Sequence, residues 1–343
     1  MVKSMRTISS LTAIILMAFI VATVYFKNYA DSPLSEKYRD VNLVIVPGMS
    51  FKDVTRELYE HGLIEEKWNW RIYARLSGTT HKIKAGEYSL SATLTPHQLL
   101  KNLVRGDTKQ FSMTVIEGST FKQLWDSVKK NDKITQTLSS PDELLEKLNL
   151  EDHNPEGWFY PDTYHFSRGI TDLQFFRHIH QHMRRVLDEE WANRKKGLPV
   201  HSPKEALILA SIIEKETSAD HERVMVAAVF SNRLARGMRL QADPTVIYGM
   251  GEAFDGNISR KDLGKDTPYN TYVHKGLPPT PIALPGRASI AAALNPADNE
   301  MVYFVSKRDG THHFSSTYKE HRAAVIKYQL KGCKDCYGAG SGS

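Results

Sequence analysis

Apolar positions fall along this chain in three different rhythms, and each predicts a different kind of element. Between Leu11 and Phe26 they are almost continuous and free of charge. Extended back to Ile8, the run approaches the ~20 residues that a bilayer requires, so it predicts one membrane helix over residues 8–27. Lys3 and Arg6 precede it, which places residues 1–7 in the cytoplasm and exports the remainder. The run is long for a cleaved leader, and Lys27-Asn28 supplies no small residue for cleavage. An uncleaved anchor is the expectation.

From residue 42 the pattern changes to short β-rich runs, each followed by an amphipathic helix. Val44-Ile45-Val46-Pro47-Gly48-Met49-Ser50-Phe51-Lys52 returns as Thr114-Val115-Ile116-Glu117-Gly118-Ser119-Thr120-Phe121-Lys122. Each copy reads as strand, glycine turn, Ser/Thr cap and helix. Tyr88, Thr95 and Gln98 recur as Tyr164, Thr171 and Gln174, and Leu99-Leu100 is answered by Phe175-Phe176. The extra residues of the second copy fall in the polar stretch 139–142. Two copies are too few for a solenoid, so they predict two related α+β units. Trp68, Trp70 and Tyr73 stand at helical spacing and read either as core or as a platform for stacking sugars.

The third rhythm is helical and lies in residues 202–220. Ser202 and Glu205 are spaced as a capping box, and Pro203 takes the first helical position, where its missing N–H is harmless. At 100° per residue Ala206, Leu209, Ile212 and Ile213 gather on one face. Glu216 falls near the middle of that stripe, Glu214 on its flank and Lys215 opposite. A carboxylate on an apolar face needs a partner or a raised pKa, and a carboxyl kept protonated near neutrality is a general acid. The bland counterpart is a glutamate that reaches solvent or pairs with Arg223 or Arg233. Ser218 or Asp220 can cap a second helix running to Arg236 and stopped by Gly237. A turn-rich run follows over residues 239–251, in which Gln241, Thr245 and Tyr248 can meet hydroxyl groups. Beyond Tyr269-Asn270-Thr271-Tyr272, the proline-rich loop 276–286 is stiffened before any ligand arrives.

Composition narrows the partners. The 45 basic and 39 acidic residues leave +6, a mild excess that suits a carboxylate-bearing polymer or an anionic membrane. No basic run interleaved with aromatics points to nucleic acid. Cys333 and Cys336 form a lone C-x-x-C without zinc-completing partners. They read as a tail disulfide or two free thiols at the edge of a flexible segment, residues 331–343. Gly249-Met250-Gly251 lacks the dinucleotide fingerprint, His312-His313 reads as an exposed pair without ligand spacing, and no serine sits in a nucleophile elbow. Neither cofactor nor metal is expected.

Several motifs occur together: E-K-E-T at 214–217, Asn232-Arg233, L-Q-A-D-P-T-V-I-Y-G at 240–249, Y-N-T-Y at 269–272 and G-L-P-P at 276–279. In combination they resemble the endolytic murein transglycosylases, the YceG-like family. Residues 42–106, through Pro47, Gly48, Ser50 and Phe51, resemble a LysM-type glycan-binding module. The resemblance implies an α+β protein with a single N-terminal transmembrane helix, a LysM-like subdomain at 42–106 and a mixed α+β catalytic domain at 110–330. It implies Glu216 as the catalytic residue. Asn232, Arg233, Gln241, Asp243, Thr245, Tyr248, Tyr269, Asn270, Thr271 and Tyr272 are the expected substrate-binding residues. The implied reaction cleaves the β-1,4 bond between N-acetylmuramic acid and N-acetylglucosamine without water, on the outer side of the bacterial inner membrane, beside peptidoglycan synthases. Two other readings compete with it. One is a hydrolytic muramidase pairing Glu216 with Asp243 or Glu214; the other is a non-catalytic wall-binding scaffold.

Overall fold

In the computed structural model, which describes residues 2–34, 40–91, 93–150, 154–217 and 219–333, the chain is mixed α+β. Helix α1 (Val2–Asp31) contains one stretch, Leu11–Asp31, long and apolar enough to cross a membrane, and that stretch is unburied. The helix continues past the predicted end at residue 27, because its last turns have protein partners. The Tyr25 hydroxyl donates to Asn69 Oδ1 at 3.1 Å, and Tyr29 meets Tyr73 edge to face at 6.0 Å.

The chain divides into two compact units. The first comprises residues 1–112 with 132–135 and 165–170; the second comprises 113–131, 136–164 and 171–343. After α1, the first unit contains β1 (Val41–Ile45), α2 (Phe51–Glu60), α3 (Lys67–Leu76), β2 (Gly86–Leu90) and α4 (Pro96–Arg105). Strands β1 and β2 are antiparallel, with Leu43 opposite Tyr88. Leu43, Leu58, Leu99 and Leu103 close a core around Trp70, which is fully buried, whereas Trp68 is 54% exposed. The aromatic trio therefore divides: Trp70 is core and Trp68 faces solvent.

The internal repeat is visible element by element. It continues as β3 (Gln110–Thr114), α5 (Phe121–Lys129), α6 (Pro141–Leu148), β4 (Thr163–Ser167) and α7 (Asp172–Ala192), the same strand-helix-helix-strand-helix order, and β3 pairs with β4. Gly48 and Gly118 both take positive φ, 84° and 71°, a conformation that glycine adopts without strain. Thr95 with Gln98 and Thr171 with Gln174 each form a reciprocal capping box. The Tyr88 and Tyr164 hydroxyls each donate, at 2.7 Å, to the carbonyl four residues back, Lys84 and Tyr160.

The second unit goes on with α8 (Pro203–Glu216), α9 (Arg223–Ala235), α10 (Asp243–Met250), α11 (Arg260–Leu263), α12 (Arg287–Leu294), β5 (Tyr303–Ser306), β6 (His312–Ser315) and α13 (Tyr318–Tyr328). Its core is built by α7, α8, α9 and α12. Ser202 caps α8 by accepting from the Glu205 N–H, but the Glu205 carboxylate accepts from the His201 N–H at 2.6 Å, one residue earlier than a capping box requires. Every residue from Ala206 to Ile213 is buried. Helix α8 is thus enclosed on all sides, and its apolar stripe is only part of what packs. The run expected as turns, residues 239–251, contains α10, which Pro244 starts at a position where its ring favours helix. Helix α9 follows a 3-10 turn and has no side-chain cap. Ser218 lies outside the described residues, as do Cys336 and residues 334–343.

Candidate active site

Because α8 is enclosed up to Ile213, its last turn delivers Glu214, Lys215 and Glu216 to the edge of a dry core. Glu216 is partly buried. Burial, and then the negative charge of Asp243, push its carboxyl up to about 8, while the Arg233 cation pulls the other way. Asp243 opens α10, and the Tyr272 hydroxyl donates to its Oδ1 at 2.6 Å. Burial and that bond hold the Tyr272 phenol well above its ordinary value.

Arg233 is buried on the last turn of α9, and its Nε and Nη1 donate within the protein. Nε donates to the Val302 carbonyl at 2.6 Å, and Nη1 to the Leu240 carbonyl at 2.6 Å and to Gln241 Oε1 at 3.4 Å. The guanidinium also lies over the Tyr303 ring at 5.4 Å. These contacts hold the guanidinium in place. Gln241 carries the backbone through a left-handed turn, φ 51°, which costs a non-glycine residue about 1 kcal/mol or more. Its N–H is held by the Thr271 carbonyl at 3.1 Å.

The other expected contact residues separate into two groups. Thr245 and Thr271 are buried, with hydroxyls 2.9 Å apart; Thr245 donates to the Ala242 carbonyl, and Thr271 Oγ1 accepts the Ala242 N–H. Asn270 is buried and donates to the carbonyls of Asp262, Leu263 and Lys265. Asn232 donates to the carbonyls of Asn299 and Met301. These four side chains are tied to neighbouring backbone by these bonds. Gln241 and Asp243 are exposed, and Tyr248, Tyr269 and Tyr272 are partly exposed. Tyr248 and Tyr269 pack edge to face at 4.9 Å.

One acidic group escaped the sequence reading, and a second is more enclosed than its helix position implies. Glu156, 4% exposed, accepts from the Phe121 N–H at 2.8 Å and from the Tyr248 hydroxyl at 3.1 Å. Burial outweighs those bonds and pushes its carboxyl up to about 7. Its only sequence signal is a turn, Asn154-Pro155-Glu156-Gly157, in which a glutamate looks like solvent-facing polarity. Glu214 is the second: its side chain is 7% exposed, accepts from the Gly286 N–H at 3.0 Å and lies 3.9 Å from Arg223. On the flank of α8 it is thus a buried, paired carboxylate. His312 is also partnered, with Nδ1 2.6 Å from Glu222 Oε2, so the expected exposed histidine pair is corrected. Among the described residues no group of three or more His, Cys, Asp or Glu converges as a metal site.

The YceG-like family profile matches residues 43–327. The endolytic murein transglycosylase of Bacillus subtilis (strain 168) is 31% identical over 328 residues, 90% of this chain and 90% of that protein. Its namesake in Streptococcus pneumoniae serotype 2 is 27% identical over 86% of this chain, which spans 59% of the pneumococcal protein's length. A crystal structure of a YceG-like protein from Listeria monocytogenes superposes with a TM-score of 0.54 at 31% identity, covering 83% of this chain and 99% of that one. With the profile running across both repeat copies and every element of the Glu216 site, the chain belongs to the YceG-like family.

Proposed function

We propose that this protein is a membrane-anchored lytic transglycosylase that cuts the MurNAc-GlcNAc β-1,4 bond of peptidoglycan strands, with Glu216 as its single acid and base. The supporting observation is the placement of that carboxyl on the last turn of a buried helix, where burial and the charge of Asp243 raise it to about 8 against the pull of Arg233. The relatives' shared name supplies the substrate class.

Protonated Glu216 gives its proton to the glycosidic oxygen as the bond to the muramoyl C1 breaks. Asp243, held by Tyr272, offsets the positive charge that develops on the sugar. The Glu216 carboxylate, now favoured by Arg233, takes the proton of the muramoyl C6 hydroxyl, and O6 closes on C1 as a 1,6-anhydro ring. One carboxyl serves both proton transfers, a contribution of roughly 10²–10⁴-fold in rate. A hydrolytic muramidase would need Asp243 or Glu214 as a second catalytic carboxylate, and Glu214 is bonded to the Gly286 N–H beside Arg223. The short bond from Tyr272 suits a role in setting the field better.

Residues 42–106 act in this reading as a LysM-like glycan-binding subdomain; their strand-helix-helix-strand order and antiparallel β1-β2 pair support it. Helix α1 anchors the chain in the inner membrane with residues 42–330 outside, beside peptidoglycan synthases engaged on the same strands. Mass spectrometry of muropeptides released by the purified protein tests the reaction. Anhydro ends are expected; reducing ends would replace the reading with hydrolysis, and no cleavage would leave the scaffold.

A further inference from the structure

The two copies of the repeat carry equivalent clefts. In the first, a cleft of about 370 Å³ is walled by Ile45, Val46, Gly48, Met49 and Val54. In the second, a cleft of about 400 Å³ is walled by the counterparts Val115, Ile116, Gly118, Ser119 and Leu124. Both volumes lie within the roughly 300–1,000 Å³ of ligand sites. The backbone of the shared wall is the same. The N–H of Met49 donates to the Val46 carbonyl at 3.1 Å, and that of Ser119 to the Ile116 carbonyl at 3.2 Å. Ser50 and Thr120 then cap the following helices.

Each cleft also keeps an aliphatic side chain in solvent at the same repeat position: Val46 is 50% exposed and Ile116 is 67% exposed. Burying either in the fold would be favourable, and neither is buried. The opposite walls differ. Thr80, His81, Ile83 and Ala85 close the first cleft. Lys215 of α8 closes the second, where its ammonium donates to the Gly118 carbonyl at 3.0 Å. The second cleft therefore shares a wall with the helix whose next residue is Glu216. Its lining sets the exposed apolar rim of Ile116 beside the exposed Glu117 and Lys215, which suits the apolar faces and polar edges of an amino-sugar strand.

We propose that the cleft between Ile116 and Lys215 is a second glycan-strand subsite, built into the catalytic unit and holding the same polymer on which Glu216 acts. It rests on the transglycosylase reading. A glycan held there would be presented to α8 by a surface independent of residues 42–106.

The test uses the full chain and peptide-free glycan strands purified from peptidoglycan. Ile116→Asp places charge on an exposed rim without disturbing the core. It is expected to weaken strand binding by the non-cleaving Glu216→Gln protein roughly tenfold, and in active protein to raise KM for long strands more than for the shortest strand cleaved. Ile116→Val, the residue of the first copy, should restore both. On the Glu216→Gln protein, bound strands should also shield Lys215 from acetylation, a readout that needs no variant at the rim. Unchanged affinity in Ile116→Asp together with unshielded Lys215 would overturn the subsite while wild-type cleavage to anhydro products stood. A wild-type protein that makes no anhydro products would instead overturn the reading beneath it.

Discussion

Glu216 is poised by two opposed charges, and each can be removed separately. Glu216→Gln keeps the shape but cannot exchange a proton, so muropeptide release should fall at least 10²-fold while strand binding persists. In the wild type the acid form is lost as pH rises through about 8, so, with Glu216 as the acid, the alkaline limb of the pH-rate profile should fall there. Asp243→Asn removes the charge that favours the protonated carboxyl, so that limb should move to lower pH; an unmoved limb would mean that Asp243 is not felt at Glu216. The same carboxyl is a stability term. A folded pKa raised from 4.5 to about 8 stabilises fully below about 4.5 and is lost as pH rises through 8. Chemical denaturation of Glu216→Gln should therefore gain on the wild type across that window.

At the scale of elements, two buried acids hold the second repeat copy with opposite pH signatures. Asp172, at the start of α7, accepts from Lys129 Nζ at 2.8 Å, from the Thr137 hydroxyl at 2.6 Å and from the Leu138 N–H at 3.1 Å. Burial would raise its carboxyl, but these donors bring it down to about 2. Its contribution is present above about 3.8 and disappears as pH falls through 2. Asp172→Asn should cost about 3 kcal/mol at pH 7, read by urea denaturation, by leaving Lys129 without its counter-charge. Glu156 is the reverse case: its contribution is full below about 4.5 and fades as pH rises through about 7. Glu156→Leu should destabilise at acid pH by about 1–3 kcal/mol, because the Phe121 N–H loses its acceptor in a dry site.

These elements also show what the chain discloses in advance. The repeat was legible because its signals are local: a glycine at positive φ, a Thr-x-x-Gln box and a tyrosine folding back four residues all sit within one turn. Helix α10 was not, because Asp-Pro and Gly-x-Gly are turn signals unless a core accepts the residues between them. The helical wheel of α8 separated Glu216 from Glu214, yet packing buries the Glu214 side chain as well, against Gly286 and Arg223. Nothing local to the α8 sequence announces partners 72 and nine residues away. The bonds that Thr245, Asn270 and Thr271 make within the fold were equally out of reach of the sequence, since their partners include groups on other elements.

At the scale of the whole molecule, the unit boundaries change how the parts can be dissected. Residues 165–170 pack with the first unit, where Arg168 Nε donates to Glu87 Oε2 at 2.6 Å. Excising residues 42–106 would strip that partner and leave Arg168 without its carboxylate, so such a deletion should lower thermal stability as well as glycan affinity. Val46→Asp is the cleaner probe of the first cleft. Truncation at the membrane end has a similar constraint. A chain beginning near Val24 keeps Tyr25 and Tyr29, whereas one beginning at Asp40 loses both, and differential scanning calorimetry should show the longer form melting higher.

Helix α1 has one further consequence. It is unbroken from its apolar run through Tyr29, and its end is fastened to α3 by the Asn69 and Tyr73 contacts. A helix rises about 1.5 Å per residue with no hinge, so a bilayer-spanning α1 would be a stake and not a leash. A flexible tether samples a sphere whose radius grows with the square root of its length; a stake has no such sphere. The first unit would then keep station at the membrane surface and meet only polymer that passes through that layer. Access to substrate would be set by height above the lipid, and inserting a Gly/Ser segment after Asp31 should widen the range of strands cut without changing how any one of them is cut.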